Sequence, residues 1–351
     1  MNREIGSEFW QIDLGNEKKM ALNKSHQYRL SGRTALDFII KDIGAFKKFS
    51  SVYIPSYCCH TMIQPFLENG IDIEFYDVTF DGEKYAYKIN FDTNCDVILI
   101  MQYFGYYNPI VEQAVHRLKS KGKIIIEDAT HSWFSDNPYS DSSDYIFASF
   151  RKWTGLACGA IIIKQTGDFL IQGDRNYFNL NYIEMRERAY VLKRHYIEKG
   201  IGEKNTFLEL FNKAENLLER DYKNYEIPQC YIDYIELLDT KKIREKRKEN
   251  AKILVKELKR IKEIKTLDLC EKDVPLFVPV IISNGMRDKL RQYLVSKRVY
   301  CPVHWPLSNA HAIDNKYIYD NCLSLVCDQR YENVDMFHIV DLIKNFYRGV
   351  I

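Results

Sequence analysis

The sequence predicts an α/β chain: a mostly parallel central sheet with helices on both faces, followed by a smaller C-terminal α+β lobe. Three observations predict it. Between residues 52 and 164 short apolar runs alternate with helix-length polar stretches, the pattern of strand–helix–strand units. Past residue 180 the pattern changes to long helices rich in Lys, Arg and Glu, and past residue 275 short apolar strands return. The chain has 351 residues, more than one typical domain of ~100–200 residues, so two lobes are expected. Residues 1–230 form the larger expected domain and residues 231–351 the smaller, with the boundary near Pro228.

Taken in order, VYIP (52–55), IDIEFYDV (71–78), DVILIMQYFG (96–105), KIIIEDA (123–129), DYIFASF (144–150) and GAIIIKQ (159–165) read as strands. MIQPFLENG and IVEQAVHRLKSKG between them have helical patterning, the second with Ile110, Val111, Ala114, Val115 and Leu118 on one face. Helices are expected near 181–198, 204–221 and 239–262, their mixed charges serving as solvated faces with i,i+4 pairs. LFVPVIIS (276–283), VYCPV (299–303) and CLSLVC (322–327) read as strands, alternating with helices near 285–297 and 332–347. No internal repeat or low-complexity segment interrupts this order.

Composition narrows the function classes. Lys and Arg number 50 against 48 Asp and Glu, a net charge of +2, so nothing draws the chain as a whole toward nucleic acid or an anionic membrane. No apolar run reaches the ~18–20 residues of a membrane span, and the charged N-terminus lacks a signal-peptide core; a cytoplasmic protein is expected. The nine cysteines include no CxxC pair and no zinc-type His spacing, so they read as reduced thiols, mostly buried, and no metal is expected. The 25 Tyr and 19 Phe suit large packed surfaces or an interface.

Three segments carry candidate chemistry. In LSGRTALDFIIKDI (30–43) a Ser-Gly pair opens an amphipathic helix, and a helix starting at Gly32 aims the amides of Arg33 and Thr34 at whatever sits there; a phosphate suits that end. The competing reading is an ordinary Ser N-cap. In KIIIEDATHS (123–132) an apolar strand ends in two carboxylates, with His131 three residues past Asp128. Alternation sends Glu127 and Asp128 to opposite sides, and Asp128 is the one assigned to a cleft at the strand's C-terminal end; its competing role is to cap the next helix. In YIFASFRKWTGLACGAIII (145–163) Ser149 and Lys152 lie on a short polar stretch flanked by Phe147, Phe150, Trp153 and Leu156. An apolar surround lowers a lysine's pKa toward the nucleophilic amine that forms Schiff bases.

The order of a phosphate cradle, a strand-end Asp followed by His, and then Ser-x-x-Lys resembles the fold-type I pyridoxal-phosphate enzymes. More closely, SGRTAL, VYIPSYCCHTMIQPFLENGIDIEFYDV, QYFGY, IIIEDATHS, FASFRKWTGLACGA, VYCPVHWP and SLVCDQRY are similar in their sequence order to the DegT/DnrJ/EryC1/StrS sugar aminotransferases. The resemblance covers about residues 28–165 and 275–347.

The resemblance implies a pyridoxal 5'-phosphate enzyme in which Lys152 carries the cofactor and moves the substrate's proton, and Asp128 partners the pyridine nitrogen. His131 contacts the 3' oxygen, and Ser149 with Gly32, Arg33 and Thr34 binds the phosphate. Cys59 aligns with the family's ring-stacking aromatic, with Tyr57 nearby. Asn176 or Asn179 serves the neighbouring subunit's phosphate, and His304 and Arg330 are candidates for binding substrate. A homodimer is implied, with a small-molecule amino donor such as glutamate and a keto-sugar acceptor, nucleotide-linked, in surface polysaccharide or related biosynthesis. Keeping Lys152 separates the chain from the family's dehydratase branch, which has His there. Two alternatives remain: amino-acid decarboxylation or transamination of a small phosphorylated ketone, and a noncatalytic regulator on the same fold.

Overall fold

Isoleucine-rich runs flanked by turn residues build the strands of this chain, and capped amphipathic stretches build its helices. The computed structural model describes residues 4–17, 23–173, 177–307 and 315–350. The chain forms two compact units interleaved in sequence, one from Glu8–Lys48 with Asp144–Thr240, the other from Ile5–Ser7, Phe49–Ser143 and the residues from Lys241 onward.

In the first unit every pairing is antiparallel. Ala160–Lys164 pairs with Ser25–Arg29 on one side and with Tyr145–Ser149 on the other. Its Ile161, Ile162 and Ile163 are fully buried, as β-branched residues in a central strand should be. The helix Gly32–Gly44 buries Ala35, Leu36, Ile39, Ile40 and Ile43. Asp42, on the same helix, accepts hydrogen bonds from Tyr145 Oη (2.6 Å), Lys164 Nζ (2.7 Å) and the amide of Leu170 (2.6 Å), which ties helix, strand and the following loop. The helices Leu180–Arg194 and Lys204–Arg220 follow, joined through a π-turn that ends at Gly200 with φ 68°. A left-handed backbone there favours glycine.

The second unit holds the expected parallel strands. Ile124–Asp128, Val97–Met101, Ser51–Pro55 and Asp72–Phe80 lie side by side in parallel, and Tyr85–Lys88 adds an antiparallel edge. The helix Pro109–Ser120 starts where Asn108 caps the amide of Ile110 and Pro109 takes the first helical position. The same unit carries an antiparallel sheet of Ile264–Thr266, Val278–Ile282 and Cys322–Leu325. Leu254, Leu258, Val280, Leu323, Ile339 and Ile343 pack against one another in its core.

Several expectations shift. The run expected as a strand to residue 105 ends at Met101, because Phe104 (φ 54°) and Gly105 (φ 82°) turn left-handed. A Cβ at Gly105 would stand 2.0 Å from the Val274 carbonyl oxygen, so that turn requires glycine. The strands SHQYR, YAYK and IKT were not expected, since none has an apolar run. All nine cysteines are free thiols, six of them buried. Among the described residues no helix is long and apolar enough to cross a membrane.

Candidate functional site

In the first unit, the strand Tyr145–Ser149 runs straight into the 3-10 turn Phe150–Lys152. Ser149, buried at 5% exposure, lies against the start of the helix Gly32–Gly44: a Cβ built on Gly32 would meet Ser149 Cβ at 3.5 Å and Phe147 Cε2 at 3.7 Å. The structure thus brings Gly32 and Ser149 together. It also gives Ser31 the capping role, since Ser31 Oγ accepts from the Thr34 amide at 3.2 Å and Thr34 Oγ1 donates to the Tyr222 carbonyl at 2.7 Å. Of the two amides expected to face a ligand, Thr34's is therefore used inside the helix. The Arg33 guanidinium reaches the Leu218 and Glu219 carbonyls at 3.5 and 3.4 Å and lies over the Tyr222 ring, away from its own amide's task.

Lys152 corrects one expectation. Phe147, Phe150, Trp153 and Leu156 are buried in the core, while Lys152 itself is exposed. The cause is the turn: with about three residues per turn, neighbouring side chains diverge by roughly 120°. Arg151 points inward to Glu215 Oε1 (2.8 Å) and Tyr182 Oη. Glu215 also holds Arg186 at 2.6 Å, and Arg186 reaches Glu8 at 2.8 Å. Burial alone would raise the Glu215 carboxyl, but Arg151 and Arg186, with Lys152 adding its field, hold it at about 2. Asn179 caps the helix Leu180–Arg194, its side chain accepting from the Tyr182 amide at 3.1 Å and donating to the Asp221 carbonyl at 3.4 Å. Its side chain is thereby engaged within its own unit; Asn176 lies outside the described residues.

In the second unit Asp128 ends the strand Ile124–Asp128, 5% exposed, and its Oδ1 accepts from the Thr130 amide at 2.8 Å. That bond folds the chain back and delivers His131 under the Phe104 turn. His131 Nδ1 accepts the Phe104 amide at 3.2 Å, so the neutral ring carries its proton on Nε2. Phe104 stacks on His131 with centroids 4.9 Å apart, and Trp305 stacks on it at 5.6 Å. Phe104 and Trp305 had no role assigned from sequence, although both lie in phrases that carry the resemblance, QYFGY and VYCPVHWP.

Other expected residues have different employment. Tyr57 is 1% exposed, with Trp305 at 5.0 Å and Tyr103 at 5.3 Å, and its hydroxyl donates to the His304 carbonyl. It is a member of the aromatic core, which corrects its expected availability for stacking. Cys59 is half-buried at the N-terminus of the helix His60–Glu68 and accepts from Thr61 Oγ1 at 3.2 Å. His304 Nδ1 lies 2.8 Å from Ser324 Oγ, and its ring packs against Phe277. Arg330 is corrected as well: Nε and Nη2 each bond Asp328 at 2.8 Å, and Nη2 reaches the Ser7 carbonyl at 3.2 Å. A fork matched to an internal carboxylate is an ion pair of the fold.

No family model matches the sequence, and no curated protein matches it. Solved structures do. The aminotransferase TlmJ from Streptoalloteichus hindustanus superposes with a TM-score of 0.66 at 13% identity, covering 93% of this chain and 86% of that one. A DegT DnrJ EryC1 StrS aminotransferase from Brucella abortus gives 0.61 at 16% identity, covering 92% and 85%. An E. coli GDP-4-keto-6-deoxy-D-mannose-3-dehydratase with bound hydrated PLP gives 0.58 at 14%, covering 90% and 87%. At such identities the likeness speaks for the fold: the chain is built on the fold that these three proteins share.

Proposed function

We propose that the chain is a pyridoxal 5'-phosphate-dependent aminotransferase that moves an amino group from a small amino donor to a keto-sugar. The observation that carries this reading is the turn after Tyr145–Ser149, where Ser149 abuts the glycine that opens a helix and Lys152 stands exposed three residues on. A helix N-terminus with a hydroxyl beside it fits a phosphate, and an amine that must bond to an aldehyde has to be reachable. The residues present fit the cofactor.

When bound, the cofactor supplies an aldehyde that holds an amine and an electron sink for the α-carbanion. Ser149 and the amides of Gly32 and Arg33 bind the phosphate. Asp128 keeps a proton at the ring nitrogen. His131, with its proton on Nε2, donates to the phenolic oxygen. Lys152 Nζ would hold the cofactor's aldehyde and, as a free amine, would take and return the proton at the substrate's α-carbon.

The finer assignments belong to the same proposal: glutamate as donor, a nucleotide-linked sugar as acceptor in surface polysaccharide or related biosynthesis, a cytoplasmic enzyme, and residues 1–230 and 231–351 as larger and smaller domains. A homodimer is supported by Leu180 and Val191, 53% and 52% exposed on one face of the helix Leu180–Arg194; sedimentation tests it. The chemistry is tested by adding pyridoxal phosphate to the purified chain, reducing with borohydride and locating the label by mass spectrometry. Label on Lys152, with 2-oxoglutarate formed from glutamate, is expected. Label elsewhere, or carbon dioxide released in place of the keto acid, overturns the reading.

A further inference from the structure

By strand alternation Glu127 points to the face of the sheet opposite Asp128, and it is 1% exposed. Its two oxygens have different surroundings. Oε2 accepts from the Ser140 amide at 2.9 Å and the Ser143 hydroxyl at 2.7 Å, whereas Oε1, also buried, has no hydrogen-bond partner among the described residues. Leaving a buried acceptor unpaired is destabilising.

Glu127 lines a cavity of about 390 Å³, walled also by Tyr107, Glu112, His116, Asp136, Tyr139 and Asp141. The Glu112 and Asp136 side chains are 47% and 40% exposed, so they form an acidic rim above the buried carboxyl, and Arg244 on Asp136 with Lys272 over the Tyr107 ring at 4.5 Å offset only part of it. An anion is repelled there. A metal ion is not favoured either: among the described residues no group of three or more His, Cys, Asp or Glu side chains is placed to hold one. A ligand that matches the rim and satisfies Oε1 must be positively charged and must bring its own N–H.

We propose that this cavity binds an alkylammonium small molecule, its N–H donating to Glu127 Oε1 and its charge facing the Tyr139 ring. The site stands apart from the proposed transamination and needs no cofactor. Burial raises Glu127 to about 7 against the pull of Ser140 and Ser143, with Glu112 and Asp128 adding repulsion. The phenols of Tyr76, Tyr87 and Tyr139 also feel its charge, and His116, Asp136 and Asp141 share the cavity. Below about pH 7 a proton competes with the ammonium for this carboxylate, so binding tightens as pH rises through that value.

The test is calorimetric titration of the full-length chain with putrescine. Saturable binding is expected, weaker by tenfold or more in Glu127→Gln and for tetramethylammonium, which has the charge and no N–H. Absence of saturable binding, or equal affinity in Glu127→Gln, overturns the proposal. If that variant does not fold, a His116→Gln chain titrated at about pH 6 and about pH 8 decides, because the imidazole's own titration is then gone. A cation held only by the rim carboxylates shows no change between those pH values, and that result too overturns the proposal.

Discussion

Glu215, half-open to solvent, and Glu127, fully buried, are acids in different units whose surroundings move them in opposite directions. For each, burial is the largest influence and pushes the carboxyl up. Around Glu215 two guanidinia at 2.8 and 2.6 Å overturn that push and hold it at about 2. Around Glu127 a backbone amide and a hydroxyl do not, and it stands at about 7. Neutral donors moderate a buried charge; an opposite charge reverses its fate. The contrast extends to chemistry. The Glu215 cluster pins Arg151 beneath the turn and leaves Lys152 outward, whereas Glu127 backs the strand whose last residue, Asp128, is the proposed partner of the cofactor nitrogen.

The largest expected effect separates reactivity from stability in the first unit. Lys152→Ala should lower transamination by roughly a thousandfold or more while leaving the urea midpoint nearly unchanged, because the lysine is exposed and adds only its field at Glu215. A comparable rate in the variant would remove Lys152 from the chemistry. Arg186→Leu should do the reverse of a purely chemical lesion. It strips Glu215, Glu8 and the Tyr190 hydroxyl of one buried donor, and removing one partner of a buried pair costs ~3–5 kcal/mol, reduced here to about 2–4 because both carboxylates keep over 40% of their side-chain surface. Chemical denaturation measures it, and a loss below 1 kcal/mol would mean that water replaces the guanidinium.

Legibility in the sequence divided along similar lines. Where one residue type dominates a run, as in VILIM, IIIED and AIIIK, the strand was readable, because complete burial leaves few choices of side chain. The edge strands SHQYR and YAYK were not, because an edge needs no apolar run. At the candidate site the strand-end positions of Asp128 and Ser149 were readable from the apolar runs before them. What spacing could not show was side-chain commitment: that Thr34's amide belongs to Ser31, that Asp328 occupies Arg330, that Tyr57 is core, and that Lys152 faces out. Each depends on a partner remote in sequence or on the angle between neighbours in a turn.

Glu127→Gln tests the uncompensated half of the contrast. The folded value of about 7 lies above the unfolded ~4.3, so the native chain holds a proton that the unfolded chain has lost. That contribution is complete below about pH 4 and disappears as pH rises through about 7. Wild-type stability relative to Glu127→Gln should therefore fall by on the order of 2–3 kcal/mol between those limits. Urea unfolding across the range measures the slope, and a variant that tracks the wild type throughout would place Glu127 among ordinary carboxylates.

Glu215→Gln should bend the curve the other way, and by less. The folded value of about 2 lies below the unfolded ~4.3, so the ion pair's contribution is present above about pH 4.3 and is lost as pH falls toward 2. The shift alone corresponds to about 3 kcal/mol. Glu215 keeps 45% of its side-chain surface accessible, and solvent screening of so open a carboxylate brings the expected contribution to about 1 kcal/mol. Two features keep the sign secure: Glu8 stays on Arg186 in the variant at 2.8 Å, so no guanidinium is left wholly alone, and the glutamine can still accept from Arg151. The measurement is denaturation between about pH 2 and 5, where the variant's acid limb should be flatter than the wild type's. Parallel limbs would show that Arg151 and Arg186 satisfy Glu215 without stabilising it, and that the two carboxylates differ in titration alone.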